Sequence, residues 1–200
     1  MHRTILIRCA VVVSAASCAT LHGDVLVTDS RFAFDVVAFS RGLDLYDESL
    51  DEYSGFASEF SGGTGNWAWE LSSSAGVLAD DSLVQAGAGN TALELSFESE
   101  AVFAIGGEFL LLDTQGTALD GIIQLELSDG TTYISTVSNG QTFAGFISGD
   151  LFISSLSMVG FGAYAPDITA ISSFTIGVVP APGGLALLLL GGTAARRRRS

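Results

Sequence analysis

The sequence predicts an all-β chain. A single antiparallel β-sandwich, jelly-roll-like, is expected over residues 24–177, with an export signal over 1–23 and a short apolar, membrane-directed segment with a basic tail over 178–200. Three observations carry this. Short runs alternate apolar and polar residues, as strands with one buried face do. Gly, Ser, Asn and Asp separate these runs at roughly 8–12-residue intervals, the rhythm of a sandwich or barrel. No helical period persists for more than two turns along the middle of the chain.

The first 23 residues have the order of a secretory signal. Arg3 and Arg8 form the basic start, residues 9–16 a short apolar run, and Ser17-Cys18-Ala19 a small-residue cleavage zone. Cleavage is expected after Ala19, with Gly23 as the second candidate. A lipoprotein signal built on Cys18 is the alternative, but Ala15 stands where such a signal prefers a large aliphatic residue. Cys9 and Cys18 both fall in this segment, so the exported domain is expected to lack disulfides and to depend on its core alone.

In the middle, residues 32–39 read as a strand, and residues 91–98 give the clearest one. Leu93, Leu95 and Phe97 face one side there, Glu94, Ser96 and Glu98 the other. Runs at 101–105, 108–112, 122–127, 132–137, 142–147, 151–156 and 171–176 follow. Asp129-Gly130 and Asn139-Gly140 are tight-turn signals between such runs. The acid-rich stretch 44–53 reads as a short helix or a loop. Of the 13 Phe, Phe97, Phe103, Phe109, Phe143, Phe146, Phe152, Phe161 and Phe174 fall on or beside strand candidates and read chiefly as packing between two sheets.

Charge excludes several function classes. The 200 residues hold 22 acids, eight arginines and no lysine, for a formal net charge of -14. All the acids lie between Asp24 and Asp167, where Arg31 and Arg41 are the only basic residues. Such a surface repels nucleic acid rather than meeting its phosphates. The two histidines, His2 and His22, lie in or beside the signal. A domain cut after Gly23 therefore lacks the groups for Ser-His-Asp or Cys-His catalysis, lysine Schiff bases and ordinary zinc sites. No phosphate-cradling or dinucleotide motif is present.

Carboxylates survive that filter. Glu70, Glu94, Glu98, Glu100, Glu108 and Glu126 are candidates for the paired acids of a glycosidase, which stand about 5–10 Å apart in a cleft. Strand alternation turns most of them outward instead, as a solvated face, and the domain is read as non-catalytic. Asp44, Asp47, Glu48, Asp51 and Glu52, and the pair Asp80-Asp81, are the calcium candidates. Neither run follows the Asp-x-Asx-x-Asx-Gly loop, so solvated acidic loops are the simpler reading and no cofactor is assigned. Trp67 and Trp69 stand two apart and are expected to share a face of a strand. That face is either core or a stacking platform for a sugar, joined by Tyr53.

At the C-terminus, Pro180, Ala181 and Pro182 break any preceding strand, and residues 183–195 form an uncharged run followed by Arg196, Arg197, Arg198 and Arg199. As a helix that run would span about 20 Å, against a hydrocarbon core of about 30 Å. The arginines would stay on the cytoplasmic side. This order resembles the PEP-CTERM sorting signal of Gram-negative bacteria, with Ala181 in place of the Glu of its Pro-Glu-Pro motif. The resemblance implies processing by an exosortase-like membrane protease-transpeptidase. Asp44 to Glu48, Ala104 to Phe109, Leu127 to Thr131 and Phe143 to Phe146 also resemble a β-sandwich that often precedes this signal. The expectation is an exported surface or matrix protein, held transiently in the inner membrane by its C-terminal helix, with extracellular polysaccharide as partner. The alternative is a carbohydrate-binding protein or a carboxylate-based polysaccharide-degrading enzyme.

Overall fold

Twelve antiparallel strands and one α-helix organise residues 25–80, 82–162 and 167–180, the residues that this computed structural model describes. In chain order they are β1 (Val25–Thr28), α1 (Arg31–Ser40), β2 (Asp44–Ser49), β3 (Gly55–Gly62), a 3-10 turn (Gly65–Trp67), β4 (Trp69–Asp80), β5 (Leu83–Ala86), β6 (Leu93–Phe97), β7 (Val102–Leu112), β8 (Gly121–Leu127), β9 (Thr132–Val137), β10 (Gln141–Ser148), β11 (Ser155–Gly162) and β12 (Ile168–Val178). The expected antiparallel β-sandwich is the architecture found. The front sheet runs β1-β10-β7-β12-β2, and the back sheet runs β3-β4-β6-β11-β8-β9. β5 pairs with both β12 and the end of β4, so the hydrogen-bond ladder turns one corner between the sheets without a break.

Inward residues of both sheets make the core. Ile105, Phe109, Phe146 and Phe174 come from the front sheet, and Leu71, Leu95, Leu125 and Leu156 from the back, all at most 2% exposed. On β12 the register against β7 slips between Ile171 and Ser173. This bulge lets Ile171 and Phe174, three apart, both face inward.

The stretch 91–98 contains β6 with the expected faces. Asp129-Gly130 closes the β8–β9 hairpin, with Gly130 N–H bonded to the Leu127 carbonyl and the Asp129 carboxylate accepting from Thr131 N–H. At the β9–β10 turn, Asn139 and Gly140 both have positive φ, +57° and +85°, the geometry such hairpins require.

Several expectations are corrected. The runs 101–105 and 108–112 form one strand, β7. The strand expected at 151–156 begins only at Ser155, after the exposed Leu151 and Phe152. Phe152 and Phe161 are not the core residues expected: Phe152 precedes the strand, and Phe161 lies on the outward face of β11. The acid-rich 44–53 is neither helix nor loop throughout: Asp44–Ser49 is the edge strand β2, paired along β12. Charged side chains suit an edge strand, because they discourage pairing with another chain.

The largest correction is at 32–39, which is helix α1. Ser30 caps its start by accepting from Ala33 N–H. At its end Gly42 takes a left-handed φ of +72°. Leu43 N–H then returns to the Ala38 carbonyl and Gly42 N–H to the Phe39 carbonyl, a Schellman closure. The helix lies on the outer face of the front sheet with Phe34 and Ala38 fully buried. Gly145 and Gly106, paired across β10 and β7, leave the dent that receives Phe34.

Residues 1–23, with the expected export signal, lie outside the described residues. So do Ala181, Pro182, the run 183–195 and Arg196 to Arg199. Pro180 is described, and it is exposed. Among the described residues, no helix is long and apolar enough to cross a membrane.

Candidate functional site

The two tryptophans do not form a shared platform. Trp67 ends the 3-10 turn and Trp69 begins β4, so the two-residue strand repeat does not link them. Trp69 is 2% exposed. Its ring meets Phe174 edge-on at 5.0 Å and Tyr53 at 5.6 Å between centroids. Trp67 is half-buried and stacks on Tyr46 of β2 at 4.9 Å with rings 10° from parallel. Tyr53 is half-buried too and donates its hydroxyl to the Ser61 carbonyl at 2.8 Å. Together these rings close the edge between β2 and β3. They are a packed lip, with part of Trp67 and Tyr53 left at the surface.

Acids border this lip. Strand alternation sends Asp47 and Glu48 to opposite faces of β2. Burial alone would raise the Asp47 carboxyl, but the Thr175 hydroxyl and the Arg31 guanidinium, each at 2.6 Å, outweigh it and hold Asp47 below its ordinary value. Glu48 goes the other way. Burial raises its carboxyl, and Glu52 raises it further. The Trp69 indole N–H lies close enough to favour the charged form, although no hydrogen bond of full geometry joins them. The Tyr53 phenol is raised by burial and by Glu48 and Glu52. Among the described residues no group of three or more His, Cys, Asp or Glu is placed to hold a metal ion. The calcium candidates in 44–52 are therefore dispersed: β2 divides them between two faces, and Asp51 and Glu52 lie in the exposed turn beyond. Asp80 is exposed at the end of β4, and Asp81 lies outside the described residues.

The raised Glu48 carries a pH prediction. A carboxyl whose folded pKa exceeds its unfolded one favours folding most below the unfolded value, and loses that contribution as pH rises through the folded value. Glu48→Gln is expected to stabilise the protein at neutral pH by less than about 1 kcal/mol, given its partial exposure. The gain should vanish below the ordinary glutamate range. Urea titrations across pH check this; a gain that stays constant at acid pH would remove the charge from the explanation.

Among the described residues nothing covers the outer face of the back sheet, whereas α1 lies over part of the front sheet. Its register aligns Glu59, Ser72, Glu94, Ser157, Glu126 and Thr132 in one row across six strands, from β3 to β9. The carboxylates Glu59, Glu94 and Glu126 are exposed, and hydroxyls stand between them. With strands about 4.8 Å apart, these acids recur about every 10 Å. The next row is Ser61, Glu70, Ser96 and Ser155. Beside the polar rows lies an apolar end, where Phe161 (54% exposed) pairs with Ile122 and Ile134 stands nearby on β9. Glu70 and Glu98 line a shallow cleft of about 270 Å³ with Ser61, Gly62, Ala68 and Trp69. Glu70, Glu94, Glu98 and Glu126 thus share this side of the molecule. Glu108 lies on β7 in the other sheet, its carboxylate accepting from Ser172, and Glu100 lies in the β6–β7 connection. Sequence alternation places the acids outward but cannot align them, because the rows depend on register between distant strands.

Comparison with models of known protein families finds no match, and comparison with curated proteins finds none either. Among solved structures, a family two carbohydrate esterase from Cellvibrio japonicus is similar at 7% identity and a TM-score of 0.41, over 70% of this chain and 36% of that one. A mutant of a family 29 carbohydrate-binding module is similar at 12% identity and a TM-score of 0.36, over 67% of this chain and 92% of that one. A β-1,3-glucan-binding family 6 module from Bacillus halodurans gives 14% identity and a TM-score of 0.32, over 66% and 94%. This chain thus spans little more than a third of the esterase. At such scores no ligand is read from the likeness, and the fold rests on the strand pairing itself.

Proposed function

We propose that the protein is an exported cell-surface or matrix protein whose sandwich associates with extracellular polysaccharide without catalysing a reaction. The observation that supports this best is the open back-sheet face. Carboxylates accept hydrogen bonds from sugar hydroxyls, and Ser and Thr hydroxyls both donate and accept. The alternation of the two, about 10 Å per repeat, suits an extended, hydroxyl-rich chain lying across the strands. Phe161 offers an apolar surface for the C–H face of a sugar ring.

Affinity electrophoresis in gels containing neutral polysaccharides tests the reading. At least one polysaccharide is expected to retard the protein, and Glu94→Ser with Glu126→Ser should weaken retention about tenfold, equivalent to about 1.4 kcal/mol. Retention that survives both changes would move the binding elsewhere. The hydrolytic alternative would draw on Glu48, whose carboxyl is raised and lies near Glu52. Polysaccharide turnover that disappears in Glu48→Gln would replace the non-catalytic reading.

Delivery rests on the sequence. In this proposal Pro180, Ala181 and Pro182 present an extended segment outside the inner membrane, 183–195 enter the bilayer, and Arg196 to Arg199 stay cytoplasmic until an exosortase-like enzyme removes the tail. Intact mass of surface protein is expected to show loss of the arginines and most of the apolar run. Neutral residues in place of the four arginines should abolish processing. Chains ending in Ser200 from a host that makes the enzyme would overturn this part.

A further inference from the structure

Helix α1 carries a second apolar stripe that the described residues leave uncovered. Phe32, Val36 and Phe39 are 78%, 49% and 82% exposed. They recur at i, i+4 and i+7 and so share one face, while Phe34 and Ala38 hold the opposite face on the sheet. Two large aromatic rings in water on a ten-residue helix mark a surface that meets something.

Two further observations indicate what it meets. The chain leaves the fold beside this stripe. Val178, the last residue of β12, is paired with Asp44, and Asp44 lines one groove with Phe39, Gly42, Leu43 and Leu45. Residue 183, where the uncharged run begins, lies five residues beyond Val178, within about 17 Å of extended chain. The second observation is charge. Arg31 and Arg41, the only arginines among the described residues, stand at the two ends of α1. Arg31 is paired with Asp35 of the same helix at 2.7 Å and with Asp47 of β2 at 2.6 Å, so its charge is met within the fold. The carboxylate rows occupy the other sheet, on the far side of the sandwich.

We infer that this stripe is the surface on which the sandwich rests against a lipid bilayer. α1 lies in the interfacial plane, with Phe32, Val36 and Phe39 in the boundary between headgroups and acyl chains. The acid and hydroxyl rows of the back sheet then point away from the membrane, toward the medium. The inference depends on the reading that 183–195 enter the bilayer, and it adds an orientation to that reading.

The test uses the full chain with Cys9→Ser and Cys18→Ser, so that an introduced cysteine is unique. Val36→Cys carries an environment-sensitive NBD label, and the protein is reconstituted in phosphatidylcholine vesicles. Carbonate extraction, compared with a chain that ends at Pro180, reports separately whether the tail is inserted. The expected result is a blue shift and several-fold brighter NBD emission with vesicles, quenched by lipids that bear a nitroxide near the top of the acyl chain. Adding Phe32→Ser and Phe39→Ser should abolish both effects, and a label at Ile134→Cys on the back sheet should show neither. An inserted tail with the Val36 label still in water would overturn the inference and leave the anchor intact. A blue shift without vesicles would assign the stripe to the chain's own tail or to a second copy, and would overturn it too. Release of the protein by carbonate would defeat the anchor reading and the inference together.

Discussion

Replacing Trp69 by Ala is expected to destabilise the fold by about 3–5 kcal/mol, the usual cost of emptying a fully buried Trp site. The ring touches Phe174 of β12 and Tyr53 of the turn before β3, so it joins three segments that meet at the sandwich edge. Without it the edge must close on a void or admit water, and the Tyr53–Ser61 hydrogen bond loses the surface that positions it. Urea denaturation measures the effect. Trp67→Ala provides the contrast: that ring is half-buried, and its stack on Tyr46 is an aromatic pair worth about 0.5–1.5 kcal/mol beyond the area it buries. Equal losses for the two variants would contradict the deeper burial of Trp69.

Gly145→Val should cost about 2–3 kcal/mol, by overpacking. A Cβ at residue 145 would stand 2.5 Å from the Phe34 ring and 2.7 Å from the Thr28 hydroxyl oxygen. Neither has room to retreat, because Phe34 is fully buried under α1 and Thr28 is on the paired strand β1. The mechanism is separable from a general loss of flexibility in β10. In a Phe34→Ala background the ring is gone, and the added cost of Gly145→Val should fall well below its cost in the original protein, a non-additivity that a double-mutant cycle reads directly. Additive losses would place the strain in the backbone or at Thr28 instead.

What could be read in the sequence depended on local contrast. Leu93-Glu94-Leu95-Ser96-Phe97 shows its faces because the two sets of residues differ chemically, and Asp129-Gly130 has few other uses than a tight turn. Residues 32–39 lack such contrast. Phe34 and Ala38 face the sheet, Phe32, Val36 and Phe39 face outward, and all are apolar, so periodicity cannot separate the two faces. The helix was nonetheless signalled at its ends, by Ser30 before it and Gly42 after it. The two tryptophans depart from the expected shared face for a different reason. A two-residue spacing implies a shared face only inside a strand, and the 3-10 turn at Gly65–Trp67 ends just before β4 starts. β2 carries too many acids to look like a strand by propensity. Its place is set by β12, more than a hundred residues later, which supplies the hydrogen-bond ladder and the Thr175 hydroxyl for Asp47.

The position of β12 has a mechanical consequence. This strand ends at Val178, where the chain passes to Pro180, and it lies inside the front sheet, flanked by β7 on one side and by β2 and β5 on the other. Its ladder with β7 extends from Ile168 to Val178. A pull applied at Pro180 along the strand axis would act across hydrogen bonds that lie perpendicular to it. They would bear the load together, in shear, instead of parting one after another as in a strand peeled from an edge. A domain held by this end would resist drag through the rupture strength of its central strand, well before that of β1 or β9 at the rims.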